Sequence, residues 1–514
     1  MWLRASFVSP TVVPVVQLVS LALSSCCLFC VVCSDFVTNC NSLQLRHTWK
    51  GSPKGGSILT ADVLELRNKG DGAENSSRFL ATAGHADGGK IRFWTLPPSF
   101  IFSNDEDRGQ KEIELKNLKC ESATIHNGSV FCLSLSTPNL EDRDQGSNPD
   151  SIWLVSGSFD RSASIHLVRK TTEDDLSDQG QIALQTLGSL PEHTGWVRGV
   201  KAILLSNRPE EEIYDAKRMC SNSVYMLSIG CNLVNVWTFS SRSTHDLPIN
   251  RILRIARLDA GPSPDDDPAE EFRRHDILAI EIISVDRGHC ACNDMWLVAG
   301  LVDGTIRVFE LRWEDWFRLQ ASGISPYEPT GSCALPAPNS GDEGDVTDDS
   351  PIISIAAHDG RVTAIHAIPD TTDFLTVGYD SKWIYWRLED PSPNSSEPQL
   401  AKLKEGYVSG TKDPDKLHDR ICSSAVVMLD NDQGKECIEG SAMMLYTGTT
   451  SGSLYRTKLS SSVGFQDETA VLWESEAGDE GCYVSALTTM TASGNAKKHS
   501  IFACRSDGLV MLFE

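Results

Sequence analysis

The sequence predicts an all-β fold made of repeated units. Three observations carry that prediction: a hairpin pattern that recurs seven times, a turn aspartate at fixed spacing, and a histidine ahead of several hairpins. Each copy is a short apolar strand, a small-residue turn and a second strand that ends on a closing residue, usually aromatic. The copies are FLATAGHADGGKIRFW (Phe79 to Trp94), LVSGSFDRSASIH (Leu154 to His166), MLSIGCNLVNVW (Met226 to Trp237) and LVAGLVDGTIRVF (Leu297 to Phe309). They continue with FLTVGYDSKWIYW (Phe374 to Trp386), LYTGTTSGSLYRT (Leu445 to Thr457) and FACRSDGLVMLF (Phe502 to Phe513), so seven units are expected.

The turn aspartate lies six residues before the closing position in Asp160 to His166, Asp303 to Phe309, Asp380 to Trp386 and Asp507 to Phe513. Aspartate suits such a turn because its carboxylate accepts from backbone amides two residues on, and Gly157, Gly300 and Gly448 stand where close backbone approach is useful. The stretch Gly304 to Phe309 alternates polar and apolar residues, as a half-buried antiparallel strand would.

His126, His193 and His358 each precede the start of another strand by four residues, and His275 to Ala279 and His418 to Cys422 keep that spacing. Five histidines in one register point to a repeated structural bond, an imidazole bridging a strand hydroxyl and a turn carboxylate. A catalytic role would need only one.

With these motifs the chain resembles the WD-repeat family of β-propellers from about Ser42 to Glu514. It departs from the family pattern in having no Trp-Asp dipeptide, no glycine before the histidines, and no turn aspartate in units three and six. The resemblance implies a hydrogen-bonded network most complete in unit five, with His358, Thr376, Asp380 and Trp386. In unit two it implies His126, Ser156 and Asp160, with His166 at the aromatic position. The last unit ends without an outer strand, which Leu43 to Trp49 would supply. The expected fold class is therefore all-β: a single seven-bladed β-propeller over residues 42–514, closed by an N-terminal strand, with long surface insertions. Full closure removes the exposed edges that invite aggregation.

Closing residues fall about 71 to 77 residues apart except at the last unit, against 40–45 in typical repeats of this kind. The excess reads as surface loops: Thr137 to Asp150, Ser206 to Ser223, Pro262 to Glu271, and above all Arg312 to Ser350. Acidic runs within such loops help to set a formal net charge of −24, which makes nucleic acid a poor direct partner. Sixteen cysteines in no regular spacing argue against a disulfide framework.

Residues 1–40 form an apolar leader or membrane-anchor candidate. Nothing charged stands between Ala5 and Ser34, so residues 5–34 could meet a membrane, and Val12 to Val32 is long enough to cross one. Arg46, Lys50 and Lys54 outweigh Arg4, which places the large domain in the cytosol if the segment stays in the bilayer. A secretory location is the weaker expectation, since Pro10 and Pro14 interrupt the apolar run.

No phosphate loop, zinc helix or nucleophile elbow motif occurs in the chain, so no catalytic, cofactor-binding or metal-binding residue and no small-molecule substrate is expected. His289 to Asp294 offers soft ligands but not the paired spacing of structural zinc. The expected activity is recognition of proteins. The resemblance assigns to one face the residues ahead of strand onsets (Ser129, Trp196, Leu278, Arg361, Ile421) and ahead of turn aspartates (Phe159, Val302, Tyr379). Of the residues around those positions, Trp196, Arg198, Arg361, Phe159 and Tyr379 are expected to bind partners, being of the types that dominate hot spots. The leading expectation is a non-enzymatic scaffold in a multiprotein complex. A narrower alternative comes from LVSGSFDRSASIHLV followed by HTGWVRGV, which is similar to repeats of propeller subunits in transfer-RNA-modifying complexes such as Elongator. An alternative of another class is a secretory-pathway propeller enzyme or glycan-binding module, motivated by the leader and by sequons at Asn75, Asn127 and Asn394.

Overall fold

The structure, a computed structural model, describes residues 45–50, 56–66, 77–85, 88–96, 120–136, 151–170, 182–190, 193, 195–204, 223–230, 233–240, 251–259, 276–284, 295–311, 351–369, 371–389, 398–408, 419–429, 442–460, 468–474, 481–492 and 495–514. The leader at 1–40, the insertions expected at 137–150, 262–271 and 312–350, and the candidates His275 and His418 lie outside these residues. Among the described residues no helix is long and apolar enough to cross a membrane.

All described regular structure is β-strand. After β1 (Leu45–Lys50), blade 1 holds β2 (Ile58–Leu66), β3 (Ser77–Gly84), β4 (Lys90–Leu96) and β5 (Cys120–Thr124). Blade 2 holds β6 (Val130–Ser136), β7 (Ser151–Ser158), β8 (Ala163–Lys170) and β9 (Ile182–Leu190). Blade 3 holds β10 (Val197–Leu204), β11 (Ser223–Gly230), β12 (Leu233–Ser240) and β13 (Arg251–Asp259). Blade 4 holds β14 (Ile277–Ser284), β15 (Met295–Leu301), β16 (Thr305–Glu310) and β17 (Ile353–Ala356). Blade 5 holds β18 (Val362–Ala367), β19 (Asp373–Gly378), β20 (Lys382–Glu389) and β21 (Gln399–Tyr407). Blade 6 holds β22 (Ile421–Leu429), β23 (Ala442–Thr449), β24 (Leu454–Ser460) and β25 (Glu468–Trp473). These six blades are each drawn from four consecutive strands. The remaining sheet is a composite of β26 (Val484–Ala492), β27 (Asn495–Arg505) and β28 (Leu509–Phe513), with β1 as its outer strand.

The seven sheets form a β-propeller. Their first strands touch in the order β2, β6, β10, β14, β18, β22 and β26, and β26 returns to β2, so the circle closes. At the junction β1 runs antiparallel to β28, from Leu45 opposite Phe513 to Lys50 opposite Leu509. Trp49 of β1 is buried edge-on to Trp94 of blade 1, with ring centroids 6.2 Å apart, in a cluster with Leu80, Val510 and Leu512.

Each sheet is sandwiched between two others, so both of its faces are covered and its inner strands carry little solvated surface. The expectation of half-buried alternation in 304–309 is corrected by this arrangement. Ile306, Arg307, Val308 and Phe309 are all buried, and every residue of β15 and β19 is buried as well. The core lies between blades. Ile283, Trp296, Val298, Ile306 and Val308 of blade 4 pack against Val362, Ile365, Phe374, Ile384 and Trp386 of blade 5.

One local device repeats at every sheet. The first strand opens on a buried β-branched residue (Ile58, Val130, Val197, Ile277, Val362, Ile421 or Val484), and a β-bulge follows within two residues. A bulge bends its strand and re-aims the next side chain, so it turns the residues beside the onset toward the end of the ring. The buried residue packs on a glycine of the preceding blade: Val197 on Gly157, Val362 on Gly300 and Val484 on Gly448. A Cβ at any of these glycines would collide with that valine, which is why they must stay bare.

Candidate protein-interaction face

The face is built by a backbone bond that recurs in five blades and the composite sheet. The amide just past the second strand donates to the carbonyl just before the first strand: His85 to Ser57, Phe159 to Ser129, Val302 to Asp276, Tyr379 to Arg361, Thr450 to Arg420 and Ser506 to Tyr483, all at 2.8–2.9 Å. Two side chains distant in sequence are thereby set side by side at one end of the ring. The residues ahead of the onsets in blades 4 and 6 are therefore Asp276 and Arg420, not Leu278 and Ile421 as the histidine spacing predicted.

The structure gathers the predicted partner-binding residues into two clusters. On blades 2 and 3, Phe159 and Trp196 are 45% and 39% exposed, unusual for large apolar side chains, and their rings lie 4.6 Å apart. Phe131, which sequence reasoning missed, stacks on Trp196 at 6.0 Å and meets His85 edge-on at 6.1 Å. Arg198 lies 5.2 Å from the Trp196 ring centroid and 3.8 Å from the Asp276 carboxylate. On blades 5 and 6, Arg361 and Arg420 both lie over the Tyr379 ring, 4.1 Å and 4.8 Å from its centroid. Arg420 was missed as well. Its signal is the buried Ile421 that follows it.

The turns beneath this face are pinned by the histidine network. In blade 5 His358 Nε2 bonds Thr376 Oγ1 at 3.0 Å, Trp386 Nε1 donates to the same oxygen at 2.9 Å, and His358 Nδ1 reaches Asp380 at 3.0 Å. Asp380 also accepts from the amides of Asp359 and Lys382. Burial opposes the charge on Asp380, but these donors outweigh it and hold the carboxyl below its usual range. A side chain at Gly378 would overlap both His358 and Asp380.

Blade 2 repeats the scheme with a second imidazole. His126 bonds Ser156 at 2.8 Å and Asp160 at 3.2 Å, and Ser156 meets His166 Nε2 at 3.3 Å, whose Nδ1 meets Thr186 at 3.1 Å. Burial pushes His126 below its ordinary value and His166 down to about 3. The Asn127 amide donates to Asp160, so this sequon is part of the turn. In these two blades the residue after the aspartate, Arg161 or Ser381, adopts a positive φ of 68° or 64°, where blades 4, 6 and the composite sheet use Gly304, Gly452 and Gly508.

At the third described histidine position, His193 meets Asn235 Nδ2 at 3.2 Å. Asp303 accepts from the Thr305 amide, as a turn aspartate should. Asp507 takes two bonds from the guanidinium of Arg505, in its own hairpin. Unit six, which lacks a turn aspartate, borrows Asp419 from the segment ahead of β22: it accepts from Ser451 N at 2.8 Å, Ser451 Oγ at 2.7 Å and Tyr455 OH at 3.3 Å.

A second polar set lines the channel. Asp62, Lys201, Glu281 and His366 each stand four residues after the buried onset residue of a first strand. Lys201 Nζ pairs with Glu281 at 2.8 Å across blades 3 and 4, His366 bonds Ser424 at 2.8 Å across blades 5 and 6, and Asp62 accepts from the Leu135 amide at 2.7 Å across blades 1 and 2. Burial raises Asp62 to about 6 and lowers His366 to about 4, whereas Glu281 and Asp62 overcome the same effect at Lys201 and raise it. These groups stitch neighbouring blades together from the inside.

Among the described residues no group of three or more His, Cys, Asp or Glu side chains is placed to hold a metal ion. Five described cysteines, Cys120, Cys132, Cys422, Cys482 and Cys504, are free thiols. No protein-family model matches the chain, and no curated protein matches it. The class of protein that this fold defines is the β-propeller.

Proposed function

We propose that the chain is a non-enzymatic scaffold of the WD-repeat type that binds partner proteins through the end of the ring bearing Trp196 and Arg361. One observation carries the reading: the recurring turn bond delivers exposed aromatic and guanidinium side chains, the types that dominate binding hot spots, to one surface. Support for a degenerate WD repeat comes from the blade 5 network of His358, Thr376, Asp380 and Trp386.

Trp196→Ala combined with Arg361→Ala, in the full chain used as bait, is expected to reduce capture of the main partner at least tenfold. The melting temperature should stay within a few degrees, since both side chains are exposed. Affinity capture with mass spectrometry reads the first quantity and thermal unfolding the second. Unchanged capture would remove this face from consideration.

A further inference from the structure

Arg361 and Arg420 are exposed, and no carboxylate among the described residues pairs with either, in a chain of net charge −24. Their guanidinium groups both lie over one ring, at 4.1 Å and 4.8 Å from the Tyr379 centroid. The ring does not discharge them. It limits where they can go, so two positive charges are pre-positioned over a small area at the cost of little further ordering. Backbone bonds fix both bases, since the carbonyls of Arg361 and Arg420 accept from Tyr379 and Thr450.

We propose that Arg361 and Arg420, braced by Tyr379, form a receptor for a phosphorylated side chain on a partner polypeptide. The proposal rests on the reading of this end of the ring as the partner-binding face. The chemistry favours a phosphomonoester over a run of acidic residues for two reasons. First, a phosphomonoester concentrates nearly two charges and three acceptor oxygens in one group, and guanidinium forks grip such oxygens two at a time. Second, an acidic run spreads single charges about 3.3–3.6 Å apart along the chain. It would have to lie beside Asp276, Asp359 and Asp419 on this end of an already acidic molecule. Asp419 is occupied by Ser451 and Tyr455, and Asp359 by Lys382, so neither quenches the two arginines. Phe159 and Trp196 then offer an anchor for an apolar side chain elsewhere on the same segment.

The test uses the full chain and four immobilised libraries of peptides with randomised flanks, centred on phosphoserine, phosphothreonine, serine or glutamate. The expected result is at least tenfold more protein retained on a phosphorylated library than on the serine library, with glutamate close to serine. The R361Q/R420Q double variant should lose that ratio while its melting temperature is unchanged. Equal retention on glutamate and phosphorylated beads overturns the phosphate assignment, as does a ratio that survives R361Q/R420Q. Retention on none of the libraries also overturns it. Partner capture that still responds to W196A in that case shows that the binding face itself stands, and capture that ignores both variants shows that the face has failed.

Discussion

Blades 5 and 6 build the same turn with carboxylates taken from different places in the sequence. In blade 5 Asp380 sits inside the hairpin and is reached by His358. In blade 6 the hairpin reads Thr449, Thr450, Ser451, Gly452, and its carboxylate is Asp419, donated from the segment before the first strand. The comparison teaches that a turn can be held by a carboxylate from within its hairpin or from outside it: Asp380 takes the Lys382 amide of its own hairpin, and Asp419 takes the Ser451 amide from the segment before the blade. The amides of a tight turn need a partner when water is kept from them.

The largest break in that comparison is expected from Asp380→Ala, which strips the bonds to His358, Asp359 and Lys382 together. Stranding these largely buried donors together costs about 3 kcal/mol, measured as a shift in urea midpoint. Asp419→Ala removes bonds from less buried groups and should cost about 1 to 2 kcal/mol. Equal losses in the two variants would mean that the buried imidazole adds nothing. Thr376→Val, which leaves His358 Nε2 and Trp386 Nε1 without their shared oxygen, falls between them at about 2 kcal/mol.

A pH titration sharpens the contrast between blade 5 and blade 2. His166 is a base whose folded pKa is depressed to about 3 by burial. The unfolded chain therefore takes up a proton that the folded one refuses, and stability present above about pH 6.5 is lost as pH falls toward 3. His366, at about 4, acts in the same direction. Asp62 acts oppositely: its raised carboxyl makes stability fall as pH climbs from about 4 to 6. Urea unfolding at pH 7 and at pH 4.5 should show that His166→Gln flattens the acid-side loss, and that Asp62→Asn steepens it.

The smallest effect concerns the left-handed turn residues. Arg161→Gly relieves a positive φ at a side chain that is exposed, and is expected to gain up to about 1 kcal/mol in thermal unfolding. A loss instead would show that Arg161 contributes a contact of its own.

The hairpins were legible in the sequence because turn chemistry is local: an aspartate two residues before the amide it caps is visible in any six-residue window. Asp419 was not, because its partners lie some thirty residues ahead and only the closed blade brings them near. The aromatic cluster was half legible. Trp196 and Phe159 follow from motif position, but Phe131 reaches the surface through the bulge after Val130, and a bulge leaves no mark in a polar and apolar pattern. Arg420 was lost for a related reason. The spacing of four residues that holds from His126, His193 and His358 shortens before β14 and β22, and the strand begins instead at the first buried β-branched residue. The channel charges escaped notice because each is one residue on one strand, and only the ring makes them neighbours.

The latch between β1 and β28 has a temporal consequence. Ser57, just before β2, donates to the carbonyl of Ser506 across 449 residues. At a ribosomal pace of about 5–20 residues per second, the opening strand waits roughly 20 to 90 seconds for the strand that will receive it. Throughout that interval Trp49 lacks Val510 and Leu512, two of the apolar side chains it is finally buried among.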